Sequence, residues 1–275
     1  IRVHTFTGLV FPTAKGIKRK ILMFTDKMTC ACATHVIPAG EGVKNDLLNN
    51  NITKKPIKVL GYGNIRGVDM SYYSRRPEVM DIVVNKRLKV NDIFTFIFVG
   101  RIVGDKGINE LCQAFNLLTE HSKVRLILVG SYEEILDPIS GKTKHIIENN
   151  PHIEYVGPKY GDELLAYYAA SDCFVFPSYR EGFPNTVLEA GAMGLPSIVT
   201  DINGSREIII NKKNGIIIPS KNEEELFNAM LYIVNNKQER DFMAENAREM
   251  IETRYEQSFV RKCLYDFYDE IMAIN

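Results

Sequence analysis

The chain has 275 residues, 45% hydrophobic and 25% charged, enough to bury the core of one large domain or two modest ones. Lys plus Arg and Asp plus Glu stand at 34 each, so the net charge is zero and a nucleic-acid binder is disfavoured. No apolar run approaches the roughly 18 residues of a membrane span and no charged-then-apolar leader opens the chain, so a cytoplasmic protein is expected.

The chain opens on Ile1, not Met, and residues 1–6 already read as a strand, so a piece of a longer protein is expected. Further strands are predicted over 34–38 and 57–60, with helices over 14–33 and 41–50. Three strands and two helices make half a sheet, and 1–73 is read as the incomplete remainder of an N-terminal α/β domain. Near its start Lys15, Lys18, Arg19 and Lys20 stand beside apolar residues. They read first as a basic solvent face over an ordinary core stripe, and second as a surface for peripheral membrane contact at the inner face of a membrane. The glycine-rich stretch 61–69 reads as an interdomain connection.

From about residue 90 the pattern becomes regular. Strands over 94–100, 124–130, 152–157, 173–178, 197–201 and 215–219 alternate with helices over 107–120, 142–150, 162–170, 185–193, 205–211 and 222–235. Near-continuous apolar strands of this kind lie in a parallel sheet covered on both faces, a doubly wound, Rossmann-like α/β domain. Two more helices are predicted over 238–253 and 257–272. In the common strand order 3-2-1-4-5-6, ligands bind outside the carboxyl ends of the first and fourth strands. The two richest loops of the domain follow those strands.

The loop after the fourth strand carries Glu181, Gly182, Phe183, Pro184 and Asn185, and a small-residue helix follows with Thr186 and Glu189 in its first turns. Pro184 suits an N-terminal turn and Asn185 suits a cap. Backbone N–H groups and the helix dipole favour an anion there, while Glu181 and Glu189, at different depths of one cleft, can accept hydrogen bonds from ligand hydroxyls. Sugar hydroxyls plus phosphate describe a nucleotide sugar. The loop after the first strand, GRIVGDKG over 100–107, brings Gly100, Arg101 and Lys106. Its guanidinium fork and ammonium would neutralise charge growing on a leaving diphosphate, which makes a metal unnecessary. The five histidines show no metal-ligand spacing, and the five cysteines are read as reduced packing residues.

The run EGFPNTVLEAGAMGLP over 181–196, with Pro177 and Ser178 before it, resembles the E-x7-E signature of retaining glycosyltransferases of family 4, which have the GT-B fold. The stretch 100–107 resembles the same family's G-R-x4-K-G element. The resemblance implies a nucleotide-diphospho-sugar donor, a UDP-sugar being favoured, and transfer with retention of configuration. It places Glu181 on the transferred sugar, Glu189 on the ribose and Arg101 and Lys106 on the phosphates, so that Glu181, Arg101 and Lys106 are the expected catalytic residues. Tyr160, after the third strand, falls where the family receives the base. Residues 74–257 become the donor-binding domain, and 258–275 a helix returning to the first domain. Thr7 stands where family members often carry a histidine, and no role passes to His4. The implied acceptor is a saccharide or lipid-linked saccharide of cell-surface polysaccharide or glycolipid assembly. Two alternatives remain: another GT-B nucleotide-sugar enzyme, such as an epimerase or a glycogen-synthase-like polymerase, and a nucleotide-sugar-binding module without turnover in a truncated chain.

Overall fold

Runs of β-branched and aromatic residues build two parallel sheets in the computed structural model, which describes residues 1–273. The first 50 or so residues form β1 (Val3–Phe6), α1 (Gly16–Cys32), β2 (His35–Pro38) and α2 (Glu41–Asn49). β1 and β2 pair in parallel, with Val3 opposite His35 and Phe6 opposite Pro38. A small core of Phe6, Phe11, Cys30, Val36, Val43 and Leu47 lies between these strands and helices.

The rest of the chain runs α3 (Pro77–Asn85), β3 (Phe94–Val99), α4 (Ile108–Leu118), β4 (Val124–Val129), α5 (Gly141–Asn149), β5 (Ile153–Gly157) and α6 (Gly161–Ala169). It continues β6 (Cys173–Phe176), α7 (Asn185–Ala192), β7 (Ser197–Thr200), α8 (Ser205–Ile208), β8 (Gly215–Ile218), α9 (Glu223–Asn235), α10 (Lys237–Tyr255) and α11 (Gln257–Ala273). β3 to β8 form one sheet in the order β5-β4-β3-β6-β7-β8, which is 3-2-1-4-5-6 for the six strands of this domain. Phe96, Phe98, Leu126, Leu128, Phe174 and Phe176 are all buried, and both faces of β3 and β6 are apolar because helices cover both. The Phe98 and Phe176 rings stack with centroids 5.8 Å apart, which ties the two strands that meet at the switch point.

Three sequence expectations are corrected and one helix is added. The predicted strand over 57–60 reduces to a single bridge between Val36 and Ile57. Pro56 cannot donate to a ladder, and Gly61 ends the segment five residues later. The predicted helix over 205–211 stops at Ile208, where consecutive β-branched residues favour extended backbone. α3 is an addition: Pro77 starts it and Val79 and Val83 bury its inner face. The N-cap of α7 is Pro184, while Asn185 is the first helical residue and its side chain accepts from Asn64 Nδ2 at 3.1 Å.

α11 packs its Phe267 and Ile271 against Ile37 and Leu60, so the end of the described chain rests on the first sheet. An ion pair between Lys58 and Glu270 (2.8 Å) lies beside that contact. The connector is held from the other side by a bridge between Val68 and Glu256. No described helix is long and apolar enough to cross a membrane.

Candidate active site

At the carboxyl ends of β3 and β6 the two predicted loops are locked together. Gly107 adopts a left-handed φ of 72°, and a Cβ there would lie 2.1 Å from the Pro177 carbonyl oxygen. Only glycine lets the chain turn at that point and touch the next loop. Tyr179 N donates to Asp105 O at 2.8 Å, and Arg180 pairs with Asp105 across the loops at 3.2 Å. Asp105 N donates in turn to Asp137 Oδ2 at 2.5 Å, so the first loop is also fixed from the β4 side. Sequence reasoning passed over Asp105, Arg180 and Asp137, because their importance comes from contacts between loops and not from any spacing.

Lys106 and Glu181 form a direct ion pair, with side chains only 16% and 15% exposed. Ser178 Oγ donates to the same Glu181 Oε1 at 2.8 Å, and the Lys106 ammonium lies 5.4 Å from the centroid of the Phe176 ring. Among the described residues the ammonium has only this carboxylate as an ionic partner, so an anion entering the cleft competes with Glu181 for it. Arg101 is exposed and lines the same cavity, of about 280 Å³, as Lys106, Glu181 and Gly182.

The opposite wall of that cavity is the β1 to α1 loop, Thr7 to Val10. Approach is close: a Cβ on Gly182 would lie 1.7 Å from Thr7 O, so the two segments touch through backbone alone. Thr7 therefore sits on the cleft, whereas His4 lies in β1 with its ring 4.5 Å from that of Phe6. A second cavity of about 240 Å³ shares Leu9, Arg180 and Glu181 with the first and adds Asp46, Asn203 and Arg206. The cleft is thus built from both sheets.

The turn before α8 closes this second cavity. Glu207 accepts hydrogen bonds from Gly204 N (3.1 Å), Glu41 N (2.7 Å) and Gly42 N (3.1 Å), capping its own helix and the start of α2 with one carboxylate. Asn203, just ahead of α8, donates to Asp46 at 2.7 Å.

Glu189 has a different setting. It is buried one turn into α7, accepts from the Tyr73 hydroxyl at 2.9 Å, and lies 3.7 Å from the Arg66 guanidinium. Burial pushes its carboxyl up from the ordinary value, an effect that the Tyr73 hydrogen bond and Arg66 oppose. The Tyr73 hydroxyl is pushed up as well, by burial first and by the charge of Glu189 second. Glu189 lines neither cavity, so the structure does not bring it into one open cleft with Glu181. Arg66, from the connector, and Tyr73, just after it, had no signal in the sequence.

The remaining expected residues divide in the same way. Phe183 is buried, edge-on to Tyr255 at 5.6 Å, and Pro184 is buried beside it. Asn185 is exposed and Thr186 half-buried at the start of α7, where no side chain caps the helix. Gly100 ends β3, donating its N–H to Val129 O at 2.9 Å. Tyr160 is the N-cap of α6 and is 79% exposed, free to stack on a ligand but touching none of the residues above.

A larger cavity, about 610 Å³, lies at the β5 edge between Tyr132, Tyr155 and Ile139. Glu133, Glu134 and Glu148 line it with Lys144 as its one cation, which suits a diphosphate poorly. Among the described residues no group of three or more His, Cys, Asp and Glu side chains is placed to hold a metal ion.

A family model described as glycosyl transferases group 1 matches residues 80–250. The chain is 29% identical over 274 residues to the capsular polysaccharide biosynthesis glycosyltransferase CapM of Staphylococcus aureus, covering 99% of this chain and 71% of CapM. It is 26% identical over 187 residues to the N,N'-diacetylbacillosaminyl-diphospho-undecaprenol alpha-1,3-N-acetylgalactosaminyltransferase of Campylobacter jejuni, covering 68% of this chain but only 47% of that enzyme. Among solved structures it resembles Anabaena HepE in complex with UDP, with a TM-score of 0.83 at 18% identity over 98% of this chain and 72% of that one. That likeness identifies the fold as GT-B.

Proposed function

The chain belongs to the glycosyl transferases group 1 family, and from that premise we propose that it transfers a sugar from a nucleotide-diphospho-sugar to an acceptor with retention of configuration. The observation that carries the proposal is the Lys106 to Glu181 pair, set with Arg101 in a cleft at the switch point of the parallel sheet. Cations over the carboxyl ends of the strands suit a diphosphate, and a carboxylate beside them suits sugar hydroxyls.

In this reading the diphosphate enters between Arg101 and Lys106 and takes the ammonium from Glu181, which turns to the sugar. The bond from the anomeric carbon to the phosphate oxygen breaks as the acceptor hydroxyl attacks from the same face. The acceptor proton passes to the leaving phosphate, and nucleoside diphosphate departs. Arg101 and Lys106 offset the charge that develops on that phosphate, a role for which no metal is invoked. Free N–H groups at Asn185 and Thr186 add the helix dipole. Glu189 reaches the ribose once Arg66 and Tyr73 release it, and Tyr160 stacks on the base. Residues 74–257 are the donor half, and Thr7 to Val10 present the acceptor. The acceptor is a saccharide on a lipid carrier, used at a membrane surface in capsule or glycolipid assembly, as the names of the relatives suggest.

Incubation of the protein with labelled UDP-sugars and lipid-linked saccharide acceptors tests the reading. Release of UDP with a product of the donor's anomeric configuration by NMR is expected. An inverted product would remove retention, and absence of binding to any nucleotide diphosphate would remove the donor site.

A further inference from the structure

The edge strand β5 borders a cavity that the cleft does not use. Its volume of about 610 Å³ is ordinary for a small-molecule site, and Ile139, Ile147 and the Tyr132 and Tyr155 rings give it an apolar lining. The two ring centroids are 4.7 Å apart. β5 bulges directly after Tyr155: Leu128 pairs with Tyr155 and Val129 with Gly157, so Val156 is left out of the register. Bulges at sheet edges re-aim a side chain, and here the ring beside the bulge lines the cavity.

The polar groups of that lining are of both kinds. Glu133, Glu134 and Glu148 accept hydrogen bonds when ionised, Lys144 only donates, and the two tyrosine hydroxyls do either. Burial first, and Tyr155 second, push the Tyr132 hydroxyl up to about 12, so it stays protonated at neutral pH. Lys144 faces Glu134 at 3.9 Å, while among the described residues Glu133 and Glu148 are in no ion pair. An anion would sit against three carboxylates. An organic cation would bring donors alone and set a second positive charge beside Lys144. Each sugar hydroxyl both donates and accepts, and the C–H face of a sugar ring packs on an aromatic side chain, so a saccharide answers the whole lining.

We propose that this cavity is a saccharide-binding site outside the cleft, with a sugar ring against Tyr132 and Tyr155 and its hydroxyls donating to Glu133 and Glu148 and accepting from Lys144. The wall of the cavity is tied to the loop that carries Arg101 and Lys106. Ile102 N donates to Ser131 O at 2.8 Å and Gly104 N donates to Asp137 O at 3.0 Å, on either side of the lining residues Tyr132 to Glu134. The two sites thus share one stretch of backbone. In the function proposed above, the occupant is a part of the acceptor or product chain away from its reacting end. That assignment rests on the proposed function; saccharide binding itself does not.

The test is saturation-transfer NMR titration of the full chain with maltotriose, cellotriose and triacetylchitotriose, with UDP present in excess to fill the cleft. At least one trisaccharide should bind. Tyr155→Ser should weaken that binding by about tenfold, whereas Tyr155→Phe, which keeps the ring, should stay within about threefold of wild type. Glu148→Ala should weaken it by about threefold or more. Tyr155 and Glu148 are exposed, so circular dichroism and UDP affinity should stay at wild-type values. Binding of none of the three trisaccharides, or equal binding by wild type, Tyr155→Ser and Glu148→Ala, would overturn the proposal. So would spermidine binding more tightly than any trisaccharide and losing that affinity in Glu148→Ala, which would give the cavity to an organic cation. UDP affinity reports the donor cleft separately: UDP binding without trisaccharide binding would remove this site alone, and trisaccharide binding sensitive to Tyr155→Ser without UDP binding would remove the donor site alone.

Discussion

Two glutamates eight positions apart stand in opposite surroundings. Glu181 lies on the cleft wall, held by a lysine from the neighbouring loop and by Ser178. Glu189 is inside the protein, held by Tyr73, which is 116 residues away in sequence, and faced by an Arg66 whose side chain is 59% exposed. The first carboxylate has its cation on the neighbouring loop of the same six-stranded domain, so an anion that reaches Lys106 has only to replace Glu181. The second depends on the connector, and any ligand that reaches it must move Arg66 and Tyr73. One carboxylate is thus open to exchange of its partner, and the other is enclosed by its partners.

The largest expected effect separates the two. Glu181→Ala should lower sugar transfer on the order of 10²- to 10³-fold, the range for losing a group aimed at the reacting centre. Comparable turnover in the variant would take Glu181 off the reacting sugar. Lys106→Ala comes next and should weaken nucleotide diphosphate binding by about 1.5–3 kcal/mol, with the nucleoside unaffected. Arg101→Ala should act in the same direction but less, because its side chain is open to water.

Glu189→Ala should cost about 1–3 kcal/mol in nucleotide affinity if the ribose binds there. Tyr73→Phe, which removes only the internal competitor, should leave affinity equal or slightly raised. Unchanged calorimetry for Glu189→Ala would confine this carboxylate to holding the connector.

The smallest effect is on stability. Burial raises the Glu189 carboxyl, so the folded chain binds its proton more tightly than the unfolded one. Such a group stabilises below the unfolded value, and the contribution is lost as pH rises through the folded value. Denaturation from about pH 4 to about pH 7 should therefore show Glu189→Gln gaining on wild type as pH rises. A constant difference across that window would remove the burial cost.

The parallel sheet was legible in the sequence because its strands are apolar on both faces, and the strand order put the loops of Arg101 and Glu181 side by side. Side-chain partners were not legible. Lys106 meets Glu181 only because Gly107 allows the loops to touch, and Arg66 and Tyr73 reach Glu189 because the connector passes along α7. The predicted strand over 57–60 failed for a similar reason: Leu60 packs on α11, while Ile57 packs on the first core and makes only a single bridge to Val36. The four cations at and just before α1 were legible, but which apolar side of the helix faces inward depends on where β1 and β2 lie.

The most direct test titrates wild type and Lys106→Ala with UDP, GDP, uridine and guanosine by calorimetry. One of the diphosphates should bind wild type and bind Lys106→Ala about ten- to a hundredfold more weakly, while its nucleoside binds both alike. Equal loss for nucleoside and diphosphate, or no diphosphate binding by wild type, would contradict a diphosphate site formed by the loops after β3 and β6.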